Sequence, residues 1–490
     1  MISASEHLTT KHVCKKLKRK SSIFVCNFLF PVWRPDLQNA IDLLLRRFGE
    51  RASINSDVRK QHGQDESFHK SASPDLVVFP ESTNEVREIV LVCGKHKVPI
   101  VPFGAGTSLE GHISAVRGGV CIDLSQMNKI LEINSLDMDV CIQAGISRKT
   151  LNKHLEPEGL FFPVDPGADA TLGGMVATSA SGTNAVRYGT IKDNLLGLTA
   201  VMPNGHILRT GGRARKSASG YDLTRLLCGS EGTLAVITEI RLKVYGLPEA
   251  NSVGVCSFKC LREAVDAAAT TIQMGVPVAR IELLDDIQID AVNKFSGLDY
   301  EAKPTLFFEF HGTARSVVEQ SQQVAEIVKD LGGSEFIWSD KQEEKNKLWQ
   351  ARHDAYYASM ALRPNSRIWT TDVCVPISRL SECIEATKKD VVEHNVLAPI
   401  VGHVGDGNFH LLIVVDPRKE KELEVVAGIN DRLLKRALSM GGTITGEHGI
   451  GLGKMEYLEL EHSGGLSLMR SIKNSIDPDN IMNPGKIVLP

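Results

Sequence analysis

Two glycine-bordered segments carry the residues best suited to chemistry. Val401-Gly-His403-Val-Gly-Asp406-Gly-Asn408-Phe-His410 reads as a hairpin, with one histidine closing an apolar strand and the other opening the next. Glu447 and His448 follow, 37 residues after His410, within Gly441-Gly-Thr-Ile-Thr-Gly446-Glu-His-Gly-Ile-Gly451, where the glycines disfavour a helix. Two histidines and a carboxylate form a donor set for Zn²⁺, Mn²⁺ or Fe²⁺ with coordination positions left open for a substrate. The spacing differs from the His-Glu-x-x-His of a helical zinc site, and Asp406 reads as a turn residue. For each histidine taken alone, an ordinary structural or surface role is the alternative. Arg352, in Trp349-Gln-Ala-Arg-His-Asp354, is of a type that grips a carboxylate through two parallel hydrogen bonds, although a helical arginine is commonly a solvated one.

A second kind of chemistry is suggested by small residues. Pro102-Phe-Gly104-Ala105-Gly106-Thr107-Ser108-Leu-Glu-Gly111-His112 follows a strand, yet Leu109 stands where a Rossmann fingerprint needs its third glycine, and another strand rather than a helix comes next. Asp165-Pro166-Gly167-Ala-Asp-Ala-Thr-Leu172-Gly173-Gly174 continues through Ser179 to Gly182. Such stretches let a backbone approach a ligand and offer N–H groups to an anion such as pyrophosphate; close helix packing is the structural alternative.

The elements that must position these residues are legible from periodicity. Leu76 to Phe79 reads as a strand, Ser82-Thr-Asn-Glu85 as a capping box opening a helix, and Gly119 to Leu124, Ile130 to Ile133 and Asp139 to Gln143 as strands. A helix is expected from Ser147 to Glu156, a hairpin around Asn204-Gly205, and one long strand from Gly229 to Val244. After Gly246-Leu-Pro248 the order becomes strand 253–258, helix 261–274, strands 278–283 and 305–311, helix 315–331 and strand 335–338, the ferredoxin-like split βαβ pattern. Helices near 341–361, 378–393 and 419–439 and strands near 367–375 and 398–404 extend it into an α+β domain with an antiparallel sheet.

Composition bounds the rest. The chain has 490 residues, 42% hydrophobic and 23% charged, which is globular and long enough for two large domains or about three smaller ones. A net charge of −3 with both signs interspersed provides no basic face for nucleic acid. Ten cysteines without a Cys-x-x-Cys pair imply reduced thiols. Ile23 to Trp33 is too short to span a membrane, so no transmembrane segment is expected. Lys11, Lys15, Lys16, Lys18 and Lys20 set against Glu6 give residues 1–35 the balance of an organelle presequence, with a basic tail as the alternative.

Taken together, PFGAGTSLEGH (102–112), DPGADATLGGMVATSASGTNAVRYG (165–189), GSEGTLAVITE (229–239), VGHVGDGNFH (401–410), GTITGEHGIG (442–451) and DPDNIMNPGKI (477–487) closely resemble the FAD-dependent D-2-hydroxy-acid dehydrogenases. The similarity is strongest to the mitochondrial branch that oxidises D-lactate and reduces cytochrome c, and it spans residues 74–490. It implies an α+β architecture with a vanillyl-alcohol-oxidase-type FAD-binding domain over 36–247. A ferredoxin-like antiparallel substrate (cap) domain would follow over 248–490, with segment 477–490 returning to the flavin. It implies noncovalent FAD held by Pro102, Gly104, Ala105, Gly106, Thr107, Ser108, Gly111, Pro166, Gly167, Leu172, Gly173, Gly174, Ser179, Gly182, Gly232, Ile237 and Asn483. It further implies His403, His410 and Glu447 as ligands of a divalent metal, Zn or Mn, with Arg352 as carboxylate clamp and His448 as general base. Location in the mitochondrion, in the matrix or at the inner membrane, is expected with it.

One departure bears on substrate. Relatives acting on D-2-hydroxyglutarate tend to carry a lysine two residues before the aspartate matching Asp372, whereas this chain has Thr370. A buried distal carboxylate without a cation is costly, so short monocarboxylic D-2-hydroxy acids are favoured, D-lactate first. Alternatives are a D-2-hydroxyglutarate or glycolate dehydrogenase, a non-redox flavin transferase of the alkylglycerone-phosphate synthase type, and a flavin-free metallohydrolase using His403, His410 and Glu447.

Overall fold

The computed structural model describes residues 36–489, so the expected presequence over 1–35 lies outside the described residues. The first domain is built on two sheets. Ala52–Ser53, Leu76–Val78, Val120–Asp123 and Ile100–Phe103 form the first in that order, with Leu76–Val78 and Ile100–Phe103 both parallel to Val120–Asp123. Helix Thr83–His96 makes the crossover, burying Val86, Ile89, Val90 and Cys93 at the expected helical spacing. Its N-cap Ser82 accepts the Glu85 N–H, but the Glu85 carboxylate accepts from the Glu81 N–H and pairs with Arg51, so only half of the expected capping box forms.

The second sheet is antiparallel, in the order Ile130–Asn134, Asp139–Gln143, Val236–Lys243, Leu195–Val201, Ile207–Gly211. The Asn204-Gly205 turn joins its last two strands as expected, with Gly205 at φ 77°. The long strand begins at Val236 rather than Gly229; residues 229–235 form a turn with Glu231 and Gly232 at positive φ. Within the second glycine stretch a short helix, Leu172–Thr178, forms where none was expected, capped by Thr171 at one end and by Ser179 in a left-handed conformation at the other.

In the second domain the first four strands are ordered Ile337–Ser339, Ala250–Ser257, Thr305–Gly312, Val278–Leu284. All pairs are antiparallel, the ferredoxin-like arrangement anticipated from element order. Ile400–Gly402, Asn408–Val415 and Arg367–Thr370 extend this sheet. Three details differ from expectation. A helix, Asp286–Ser296, fills the gap between the second and third strands; the segment 341–361 breaks into helices Gln342–His353 and Ala355–Ala361; and the strand near 367–375 is interrupted after Thr370.

The domains are tied at two places. The half-buried Arg280 is held between Asp165 (3.1 Å) and Asn184 (3.0 Å) of the first domain and Glu309 (3.1 Å) of the second, over the face of Trp349. The C-terminal segment crosses back: Met482 bridges Ile100 in parallel, the Asn483 N–H donates to the Ile100 carbonyl, and Ile481 and Met482 join the core of the first domain. Among the described residues no helix is long and apolar enough to cross a membrane.

Candidate active site

Strands Ile400–Gly402 and Asn408–Val415 pair with Val401 opposite His410, and the turn between them is closed by N–H donors of Asp406 and Asn408 on the His403 carbonyl. The expected hairpin therefore exists. Both imidazoles point at one carboxylate: Glu447 Oε1 lies 3.3 Å from His403 Nε2 and 3.4 Å from His410 Nε2. Asp406 is an exposed turn residue outside this cluster.

Second partners fix the tautomers. His410 Nδ1 lies 3.0 Å from the Thr371 carbonyl, which can only accept, so Nδ1 carries the proton and Nε2 keeps its lone pair. His403 Nδ1 donates to the Glu282 carboxylate at 2.7 Å, which leaves Nε2, toward Glu447, as the atom where a cation would replace a proton. Burial opposes charge on His403, but Glu282 and Glu447 overcome it and raise its pKa well above the ordinary value. The same neighbourhood works in reverse on Glu447, where His403 and His410 overcome burial and hold the carboxyl well below its usual range. Two Nε2 atoms converging on one carboxylate, and a Glu447 Oε2 that is buried without a partner, fit a divalent cation.

The loop carrying Glu447 and His448 is held by Asp372, which is fully buried. Its Oδ2 accepts the N–H groups of Glu447 and His448, both at 2.9 Å, and the Thr445 hydroxyl at 2.7 Å. His448 stacks on His410, ring centroids 5.0 Å apart, and its Nδ1 is buried without a partner. Burial, aided by His410 and Lys454 and opposed by Asp372, pushes its pKa down to about 4. At neutral pH it is an uncharged imidazole able to take a proton.

Arg352 ends its helix beside this cluster. Its Nε donates to Glu282 Oε2 at 2.6 Å, and its two Nη groups have no protein partner among the described residues. Thr370 Oγ1 is likewise buried and unpartnered.

The expected flavin residues line the other side. The N–H groups of Ala105 to Ser108 donate to no backbone acceptor among the described residues, so the first glycine turn retains the donors that a pyrophosphate needs. The second differs: Leu172 and Gly173 donate to Ile146 and Ala144, and Gly174 to the Thr171 hydroxyl. Its glycines supply closeness, since a Cβ on Gly173 would lie 2.7 Å from Ala144 Cβ and one on Gly182 2.5 Å from the Asp165 backbone. A Cβ on the exposed Gly167, by contrast, would meet no protein atom within 4 Å. Gly232 abuts the Pro102 ring, Ile237 is buried in its strand, and the Asn483 side-chain amide donates to the carbonyls of His112 and Glu231. A cavity of about 400 Å³ is lined by Ser179 and Glu231 of the first domain and by Glu447, Ile450 and Met469 of the second, so one residue expected at the flavin and one expected at the cation border the same space.

Sequence reasoning missed three carboxylates: Glu282, Asp372 as an organiser, and Glu231, whose two oxygens accept the N–H groups of Ile450 (2.7 Å) and Gly451 (2.8 Å) across the domain boundary. Glu282 did leave a signal, because Arg280 and Glu282 alternate within an otherwise apolar strand.

A glycine-lined first domain facing an antiparallel cap is an architecture of two-domain flavoproteins, and comparison bears this out. Residues 74–211 match the FAD binding domain model and residues 247–487 the model for FAD linked oxidases, C-terminal domain. The chain belongs to the FAD-linked oxidases. Among its curated relatives, "Probable D-lactate dehydrogenase, mitochondrial" of Danio rerio is 52% identical over 90% of this chain and 89% of that one. "D-lactate dehydrogenase [cytochrome], mitochondrial" of Arabidopsis thaliana is 48% identical over 90% and 78%. In fold, the chain superposes on 4-ethylphenol oxidase from Gulosibacter chungangensis with TM-score 0.78 at 18% identity, over 93% of this chain and 97% of that one. Alkyldihydroxyacetonephosphate synthase gives 0.72 at 23%, over 91% and 85%.

Proposed function

We propose that this chain is a mitochondrial flavoenzyme that oxidises D-lactate, and related short D-2-hydroxy acids, to the 2-oxo acid and passes the electrons to cytochrome c. The observation that carries the reading is the convergence of His403 and His410 on Glu447, with His448 stacked on His410 and Arg352 tied to His403 through Glu282. The identities of 52% and 48% to proteins named D-lactate dehydrogenase support the substrate.

In this reading Arg352 takes the substrate carboxylate through its Nη groups, fixing which face of the α-carbon is presented. His403, His410 and Glu447 hold a divalent cation, Zn²⁺ or Mn²⁺. When bound, the cation supplies charge that acidifies the substrate hydroxyl and FAD supplies a two-electron acceptor for the α-hydride. His448, neutral and desolvated, removes the hydroxyl proton at its free ring nitrogen. Asp372 keeps His448 and Glu447 in mutual register through their backbone N–H groups. Thr370, an uncharged residue whose buried Oγ1 has no partner, suits a short side chain rather than a second carboxylate.

The test is an anaerobic absorption spectrum of the metal-replete protein before and after D-lactate, with L-lactate and D-2-hydroxyglutarate in parallel. Bleaching of the flavin band by D-lactate alone is expected. A flavin band that no hydroxy acid bleaches would refute the dehydrogenase reading. A fluorescent fusion of the full chain should co-localise with mitochondria, and confinement to the cytosol would refute that placement.

A further inference from the structure

Glu282 belongs to none of the segments that carry the proposed chemistry, yet it touches two of them. It lies in strand Val278–Leu284 with 0% exposure. Leu283 pairs with Gly402 on the neighbouring antiparallel strand, so the register brings Glu282 opposite His403. One carboxylate oxygen, Oε1, accepts from His403 Nδ1 at 2.7 Å; the other, Oε2, accepts from Arg352 Nε at 2.6 Å.

We infer that Glu282 is a positioning residue that couples the cation site to the substrate-carboxylate clamp, holding His403 and Arg352 in one geometry through its two oxygens. The inference rests on the roles proposed above for His403 and Arg352. Its chemistry is that of an acceptor with no donor. A carboxylate holds a proton on His403 Nδ1 and so leaves Nε2, beside Glu447, as the atom that ligates the cation. By occupying Arg352 Nε, the other oxygen leaves both Nη groups free and the guanidinium plane fixed. A glutamine cannot do both. With its carbonyl toward Arg352, its NH₂ donates to His403 Nδ1, moving the ring proton to Nε2 and removing the ligand lone pair. With its carbonyl toward His403, its NH₂ confronts the Arg352 N–H, donor against donor.

The experiment uses FAD-loaded protein stripped of divalent cations and titrated with Mn²⁺ by calorimetry, followed by D-lactate kinetics at saturating Mn²⁺. For Glu282→Gln, Mn²⁺ binding is expected to weaken about 10- to 100-fold, the usual range for losing a ligand's outer partner. With Mn²⁺ then saturating, KM for D-lactate should rise about 10-fold or more at unchanged flavin content. Should that variant fail to fold, Glu282→Asp keeps the charge but is one methylene too short to span both partners, and should shift both quantities in the same directions by smaller factors. Values within two-fold of wild type for both quantities overturn the inference, as does a change in only one of them, since coupling requires both. A wild-type protein that neither binds Mn²⁺ nor oxidises D-lactate would instead refute the functional reading itself, a result distinct from variants that leave a competent wild type unchanged.

Discussion

Gly446→Ala tests whether the Glu447–His448 loop is held as tightly as its hydrogen bonds imply. A Cβ at this position would fall 2.3 Å from Asn408 Nδ2 and 3.2 Å from Asp372 Oδ1. Ordinary contact begins near 3.4 Å, so one partner must give by about 1 Å. Asn408 cannot yield cheaply, because its amide donates to Asp372 Oδ1 and to the Val373 carbonyl, both at 2.8 Å. The displacement therefore falls on the loop carrying Glu447 and His448. Metal–ligand distances tolerate roughly 0.2 Å, and a misplacement near 1 Å costs about 100-fold in rate. Steady-state kinetics with D-lactate should show kcat/KM down by about that factor, with weakened Mn²⁺ binding by calorimetry and unchanged flavin content. Wild-type kinetics together with wild-type Mn²⁺ affinity would refute the reasoning.

His448→Ala should lower kcat by about 10²- to 10⁴-fold, the range for losing a general base, while flavin content and Mn²⁺ binding persist; unchanged turnover would remove His448 from that role. Gly167→Ala introduces a methyl that meets no protein atom, so the fold should hold while FAD retention on gel filtration falls at least about 10-fold through loss of close backbone approach; Gly212→Ala, equally open, should retain FAD as wild type does. Acid stability should depend on Glu309. Burial opposes its charge, but Arg280 and His311 prevail and hold its pKa at about 2, below an unfolded value near 4.3. Its contribution is thus present above about pH 4.3 and is lost as pH falls toward 2, of order 3 kcal/mol in all. Thermal unfolding of Glu309→Gln should show a flatter pH dependence across that window, and an identical slope would refute the assignment.

The fold was legible where periodicity reports a solvent boundary. The ferredoxin-like order followed from alternating helices and strands, and helix Thr83–His96 from Val86, Ile89, Val90 and Cys93. Helix Asp286–Ser296 was missed although Asp285 caps it by accepting the Gln288 N–H, a local signal of the Asp-x-x-Gln kind. The strand expected from Gly229 starts late because Glu231 is committed to backbone donors more than 200 residues away. The same reason hid the organising carboxylates. Spacing along the chain can suggest that His403 and His410 meet across a hairpin, but Glu282 and Asp372 reach their partners through tertiary register, which no local pattern encodes. The family motifs supplied the roles of Arg352 and His448; periodicity alone would have left Arg352 a solvated helical residue.

The return of the C-terminal segment has a consequence in time. Ile100 emerges early in synthesis, yet the residues that dock on its strand, Ile481 to Asn483, follow roughly 380 residues later. At about 5–20 residues per second that is a delay of roughly 20–80 s, during which the first domain lacks an edge and Asn483 has not yet bridged the His112 and Glu231 carbonyls. Completion of that edge therefore waits on translation of the second domain, and a chain that ends anywhere before Ile481 lacks the segment that closes the first.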